Sequence, residues 1–466
     1  MYLVIDQGGH ATRALVFDLF GKIICHAESK ITTIEKGDLI VEHDPEQLIQ
    51  SVFNVLDDIY EVLGVKFANI VDAGIATQRS SFVCWNKITG DALTPIISWQ
   101  DRRTVDDLAR YLPAKELIHQ QTGLYLNPHY GATKIRWCLD SDTGLDSEES
   151  CIGPLASFIL FHLLEERPFK VDPANASRML LMNYQALDWD DDLLSVFDIS
   201  QNLLPEIVDT KSKYGTINYK GHRIPLSVCT GDQSAAIYFQ GKPSQESLYV
   251  NMGTGAFVQQ YCHQLPSSGD EKLLTSIVYS EQDRREYVIE GTVNGAARAL
   301  DWLAEKSNVA NYVSKLDEWS DEFEAPPVFL NGISGVGSPF WIARLDSRFL
   351  GESLLGAQFV AVMESIVFLI CYNISSMKVL GHDPECIEVS GGLSQSLSIC
   401  QKLADLSGLL VRRCAEPEAT AKGVAFLVLG AVGAQKKTKE KEFLSNKNNL
   451  LISRYHLWKS EMNKIS

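Results

Sequence analysis

Apolar and polar residues alternate along the chain in blocks whose periods separate strands from helices. Residues 3–5 and 14–17 are short apolar runs on either side of "DQGGHAT". That pattern predicts two strands joined by a glycine turn as a short hairpin, with "KIICHAES" as a third strand of the same meander. From 45 to 63, "PEQLIQSVFNVLDDIYEVL" starts at Pro45 after Asp44 and carries apolar residues at 48, 49, 52, 55, 56, 59, 62 and 63. This is the period of an amphipathic helix with an N-terminal proline and an acidic first turn. "IVDAGIATQ" then reads as a strand leaving the core at Thr77. Strands and helices alternate over most of the length, which is the pattern of an α/β protein.

The plan starts again in the second half. "SLYVNMGTGAFVQQYC", residues 247–262, is an apolar strand, a Gly-Thr-Gly turn and another apolar strand. Two such hairpins, each opening half of the chain, predict a duplicated α/β unit with the turns facing each other across a cleft. "GKPSQES" supplies a hinge, so the expected domains are residues 1–243 and 244–466. The stretch from Lys436, "KKTKEKEFLSNKNN", is expected to be too polar to pack, and "LLISRYHLW" after it either docks back or stays loosely ordered.

Composition narrows the class. A chain of 466 residues exceeds what one hydrophobic core usually serves, and 45% hydrophobic with 22% charged residues is the balance of an ordinary globular protein. The net charge of -17 argues against non-specific association with nucleic acid or anionic membrane, so a phosphorylated ligand has to be held locally. The first residues lack a basic segment followed by an apolar one, and the run "AVMESIVFLICYNISSM" is broken by Glu364 and Asn373. A cytoplasmic protein without a membrane or nucleic-acid partner is therefore expected. Ten cysteines lie scattered without a CxxC pair, several in apolar segments as Cys138, Cys371 and Cys400 are, which predicts buried free thiols.

Two acids stand at the ends of apolar strands. Asp6 precedes Gly8 and Gly9, where backbone N–H groups are free and an anion can approach closely. A carboxylate there does not bind the anion but can hold Mg²⁺, which bridges to phosphate. Asp232 in "CTGDQSAA" follows a short strand and starts a helix, where a carboxylate at the cleft can take a proton from a substrate hydroxyl. Each has a plainer reading on its own, Asp6 as a turn-initiating residue and Asp232 as a helix N-cap. On their own Trp99 reads more readily as a core aromatic and Arg79 as a surface ion-pair partner; Arg102 and Arg103 look like domain-bracing ion-pair residues.

Across nearly the whole chain the sequence resembles the FGGY family of carbohydrate kinases, and within it most closely the glycerol kinases. The resemblance rests on segments in the expected order, among them "DQGGHATRALVFD", "VEHDP", "GIATQRSSFVCWNKITG", "ISWQDRRT", "TGLYLNPHYGATKIRW", "TGDQSAA", "NMGTGAF", "GVGSPFW" and "SGGLSQS". It implies a two-domain, actin-like (ribonuclease H-like) ATPase fold, each domain built on a five-stranded mixed sheet, with ATP and substrate in the interdomain cleft. It implies Mg²⁺ at Asp6, ATP phosphates at the turn of Gly8, Gly9, His10 and Thr12 with Arg13, and a second phosphate hairpin at Gly253, Thr254 and Gly255. Adenosine is implied at Gly391 and Gly392. Asp232 matches the catalytic base, while Arg79, Trp99, Asp232, Gln233 and Phe257 match the residues that hold a small polyol or sugar. Homodimer and homotetramer both remain open.

The chain departs from the glycerol kinase pattern in ways that bear on function. Two threonines and then serines usually follow Asp-Gln-Gly, and Gly9, His10 and Ala11 stand in the first three of those places. Amides remain, with the Thr12 hydroxyl and His10 as side-chain donors; two lost hydrogen bonds of about 1 kcal/mol each weaken nucleotide handling roughly tenfold to thirtyfold. Ser80 replaces a substrate-binding glutamate, and His129 replaces a tyrosine, with Tyr130 adjacent should the register slip by one. Ser390 stands where an acid is usual, and with Ser394 the pattern there is closer to other members of the family. The function expected is ATP-dependent phosphorylation of a polyol or sugar hydroxyl. The alternative is a catalytically degenerate kinase-fold module that binds sugar or nucleotide and regulates.

Overall fold

The computed structural model describes residues 1–466 except 142–144, 146, 147, 267–271, 343, 382, 414–417, 431–440 and 466. The opening blocks form strands β1 (Tyr2–Gln7), β2 (Ala11–Phe17) and β3 (Ile23–Lys30), an antiparallel meander as the pattern requires. Helix α1 (Pro45–Leu63) is capped by Asp44, whose carboxylate accepts from the N–H groups of Glu46 and Gln47, and buries its apolar face from Leu48 to Leu63. Strand β4 (Asp72–Thr77) runs parallel to β1 on its other side. Strands β5 (Lys211–Tyr219) and β6 (His222–Gly231) complete a six-stranded sheet in the order β5-β6-β4-β1-β2-β3.

The second half is built from β7 (Ser247–Met252), β8 (Ala256–Cys262), β9 (Leu274–Glu281), β10 (Arg284–Val293), β11 (Cys386–Ser390), β12 (Leu410–Arg413) and β13 (Lys441–Phe443). They form a seven-stranded sheet, β9-β10-β8-β7-β11-β12-β13. The sets β3-β2-β1-β4-β6 and β10-β8-β7-β11-β12 share one sequence of antiparallel and parallel pairings, so the duplication inferred from two hairpins extends to whole sheets. The expected count of five strands describes this shared plan; β5, β9 and β13 extend it at the edges.

Strand β13 corrects the expectation that the polar stretch does not pack. Residues 441–443 of it pair antiparallel with β12 and only Phe443 is buried; an edge strand is held by its backbone, so its exposed side chains need not be apolar. Residues 436–440 lie outside the described residues. The segment after it docks as a helix, Asn449–Met462, burying Leu451, Trp458 and Met462. Its Arg454 reaches Glu364 at 2.7 Å, and Lys402 meets the same carboxylate at 2.8 Å. Glu364 lies on a helix, Leu355–Val379, long and apolar enough to cross a membrane by composition, of which 78% of the most apolar window is buried inside the protein. Eight of the nine described cysteines, Cys138, Cys371 and Cys400 among them, are buried and free.

Two short features bring the halves together. Helix α2 (Asp232–Ala236) begins where β6 ends, and helix α3 (Ala419–Leu429), from the second half, packs on the first sheet. Glycines permit the approach: a Cβ at Gly423 would lie 1.9 Å from the Ala235 carbonyl oxygen, and one at Gly74 would lie 2.6 Å from Val424. Asp232 is thereby wedged between the first sheet and a helix of the second half.

Candidate active site

A cleft of about 1240 Å³ runs between the halves. Its lining gathers His10, Arg79, Ser80, Trp99, His129, Tyr130, Asp232, Gln233, Thr254, Gly255 and Phe257, all singled out from the sequence. Asp6, Gly8, Gly9, Thr12, Arg13, Gly253, Gly391 and Gly392 are not among the residues lining it.

The first hairpin turns tightly, with the Gly8 N–H donating to the Ala11 carbonyl at 3.0 Å, and carries Asp6 directly opposite Arg13 across the strand pair. Thr12 corrects an expectation. Its hydroxyl is buried against α1 and bonds Ser51 at 2.6 Å, so it is not a phosphate donor; strand alternation that aims Asp6 and Arg13 to one face sends Thr12 to the other. Arg13 is held by Glu28 on β3 at 2.8 Å and lies 3.9 Å from Glu418. In the second hairpin the Gly253 and Thr254 carbonyls accept from the N–H groups of Ala297, Ala296 and Arg298 at 3.0–3.2 Å. Gly391 has φ +87° and packs against Met252, where a Cβ would lie 2.5 Å from the carbonyl oxygen; its need for glycine is met by that backbone, and Gly392 has open space beside it.

Asp232 does not act as the N-cap. Gly231 holds that position, and the Asp232 carboxylate accepts only from the adjacent Gln233 N–H, at 2.7 Å, which leaves it facing the cleft. Burial pushes its pKa up, opposed chiefly by Arg79, whose Nε lies 3.9 Å away. Gly231 is where Arg79 passes, because a Cβ there would lie 2.5 Å from Arg79 Cγ. Arg79 also stands over the Phe257 ring at 5.8 Å.

Behind this wall lies a network that sequence reading missed. Glu290 on β10 is fully buried and binds Arg79 at 3.4 Å, Arg178 at 2.8 Å and Gln259 at 3.0 Å. Burial alone would raise the Glu290 pKa, but the two guanidiniums carry it below the ordinary value. Arg178 also binds Ser276 at 2.9 Å, tying the first half to the second sheet. Three buried atoms of cleft-lining residues have no protein partner: Arg79 Nη1 and Arg178 Nε, both donors, and Gln233 Oε1, an acceptor.

Ser80 and His129, the places where the pattern changes, are both in the wall. Ser80 adopts φ +66° and is buried, while the neighbouring Ser81 hydroxyl accepts from the Trp99 N–H at 2.9 Å. His129 Nδ1 meets the Trp99 carbonyl at 2.9 Å, and burial, aided by Lys134 and Arg102, pulls its pKa down to about 4, so the imidazole is neutral. Tyr130 lines the cleft beside it, under Arg178. Of the two bracing arginines expected, Arg103 pairs with Glu42 at 2.7 Å and Asp101 at 2.8 Å, within the first half; Arg102 lines the cleft instead.

The acids fit a divalent cation. Burial, then the charge of Asp232, push the Asp6 pKa up to about 7, with Glu418 adding to the rise and Arg13 opposing it. An all-oxygen donor set whose charges repel one another suits Mg²⁺. Among the described residues no group of three or more His, Cys, Asp or Glu could hold a metal by itself.

Two glycine hairpins that each put residues into the cleft wall, the electrostatically coupled carboxylates of Asp6 and Asp232, and a wall of Arg, Gln, Trp and Phe fit a two-domain phosphotransferase of the carbohydrate kinase class. Models of the N-terminal and C-terminal domains of the FGGY family of carbohydrate kinases match residues 1–238 and 248–432, and the chain belongs to that family. Among curated relatives, a glycerol kinase of Alkalilimnicola ehrlichii is 33% identical over 447 residues, covering 92% of this chain and 90% of its own. A glycerol kinase of Pseudomonas aeruginosa is 30% identical over 438 residues, covering 91% and 89%. In fold the chain is similar to the glycerol kinase of Plasmodium falciparum solved with ADP, at a TM-score of 0.86 and 24% identity, over 100% of this chain and 97% of that one. A Brucella ovis xylulose kinase aligns at a TM-score of 0.88 and 18% identity, over 100% and 99%.

Proposed function

We propose that this carbohydrate kinase transfers the terminal phosphoryl group of ATP to a hydroxyl of a small polyol or sugar, with Asp232 as the base. The observation that carries this is the placement of a partnerless buried donor, Arg79 Nη1, and a partnerless buried acceptor, Gln233 Oε1, in one wall with the Asp232 carboxylate, which accepts one hydrogen bond and faces the cleft. Neighbouring hydroxyls of a polyol satisfy both, since each hydroxyl donates and accepts. Trp99 and Phe257 offer apolar surface to the C–H faces of the same molecule.

Asp232, desolvated and next to Arg79, takes the acceptor proton as the oxygen attacks phosphorus, and Arg79 keeps the carboxylate oriented. Asp6 would hold Mg²⁺, which supplies charge neutralisation for the phosphates when bound. The hairpin amides at Gly9 and Gly255 are the groups we assign to the phosphates, those of Gly8 and Gly253 being taken by the Ala11 and Gly255 carbonyls, and closure of the halves excludes water. The acceptor is not read as glycerol by default. Ser80 offers no negative charge where a glutamate is usual, and losing a charged partner changes the preference among acceptors by roughly tenfold or more. The test is Asp232→Asn, expected to lower kcat by about 10²- to 10⁴-fold while ATP and acceptor still bind. Retained kcat would exclude Asp232 as the base.

A further inference from the structure

We propose that Arg298 is a phosphate-binding residue of this chain, taking over from side-chain donors the first hairpin lacks. The inference rests on reading the cleft as an ATP site. In that hairpin Gly9 and Ala11 carry no donor, the Thr12 hydroxyl is bound to Ser51, and Arg13, paired with Glu28 and 3.9 Å from Glu418, does not line the cleft. His10 alone of its side chains lines the cleft.

Arg298 faces that deficit from the other side. It sits in the first turn of the helix Ala297–Ser307, and its backbone N–H donates to the Thr254 carbonyl at 3.2 Å, which fixes it to the second hairpin. Among the described residues that line the cleft, it is the one Lys or Arg contributed by residues 244–466. The first half contributes Arg79 and Arg178, both engaged by the buried Glu290, and Arg102, which donates to the Asp38 carbonyl at 3.5 Å. A polyphosphate entering on the side of the second hairpin also meets the acids Asp301 and Glu305, in a protein of net charge -17. It needs a local cation.

The guanidinium is available at little cost. Its partner is Glu305, at 2.8 Å, and the two side chains are 44% and 64% exposed. A solvated pair of this kind contributes little and exchanges readily for a phosphate, which a guanidinium binds through two parallel hydrogen bonds. Glu305 then acts as a placeholder that competes with the nucleotide.

Calorimetric titration of wild type, Arg298→Gln and Glu305→Gln with ATP and with adenosine tests this. Arg298→Gln is expected to weaken ATP binding roughly ten- to hundredfold and to leave adenosine binding unchanged. Glu305→Gln is expected to tighten ATP binding by up to about fivefold. ATP binding unaltered in Arg298→Gln, or adenosine weakened as much as ATP, would overturn the assignment. A wild-type protein that binds neither ligand would instead sink the ATP-site reading on which it stands.

Discussion

At the scale of single residues, the chemistry turns on where carboxylates sit relative to water and to one another. Asp6 is the clearest case. Its folded pKa of about 7 lies above the ordinary 3.8, so the protonated side chain favours the native state at low pH, and that contribution is lost as pH rises toward about 7. With Mg²⁺ assigned to Asp6 as proposed, the same proton would have to leave before the cation binds. Mg²⁺-dependent ADP binding is therefore expected to tighten up to about tenfold per pH unit below about pH 7 and to level off above it, with Asp6→Asn weak and without that rise. A wild-type profile that is flat over this range would contradict the environment described for Asp6. The sequence made Asp6 and Asp232 visible because an acid ending an apolar strand is a local anomaly. It left Glu290 and Arg178 hidden, since these partners are 112 residues apart and neither stands out among its neighbours.

At the scale of elements, short connections do the positioning. Helix α2 is five residues long and would not persist alone; it is set by the end of β6 and by the close approach of α3 at Gly423. Gly231, between strand and helix, leaves the channel through which Arg79 reaches Asp232 and Glu290. Gly231→Ala is expected to displace Arg79 and raise the acceptor KM roughly tenfold or more, with ATP binding retained; an unchanged acceptor KM would show that the channel is not needed. Elements with a strong local period, such as α1 and the hairpins at residues 2–17 and 247–262, were legible from the pattern alone. Strand β13 was not, because an edge strand draws its stability from backbone pairing with β12 and leaves no hydrophobic signature. The direction of Thr12 was likewise invisible: which face of a strand meets a helix depends on the neighbour, here Ser51 on α1.

At the scale of the whole molecule, two copies of one sheet plan close on a cleft, and contacts between them pass through the cleft wall. Arg178 and Arg79 from the first half share Glu290 from the second, while α3 of the second half lies on the first sheet. The ligand contacts proposed for Arg79 would thus be coupled to the packing of the halves, which is the arrangement expected of an enzyme that closes around its substrates. The duplication was legible from two similar hairpins; the crossing of α3 was not, because it depends on Gly74 and Gly423 meeting Val424 and Ala235 far along the chain. The central claim is that this cleft phosphorylates a polyol or sugar. Its most direct test is ADP release by the purified protein with ATP and Mg²⁺ across glycerol, larger polyols, pentuloses and hexuloses. At least one acceptor is expected to raise ADP release well above the acceptor-free rate. Binding of nucleotide and sugar with no acceptor-dependent release across the whole set would contradict the kinase account and leave a regulatory binding module in its place.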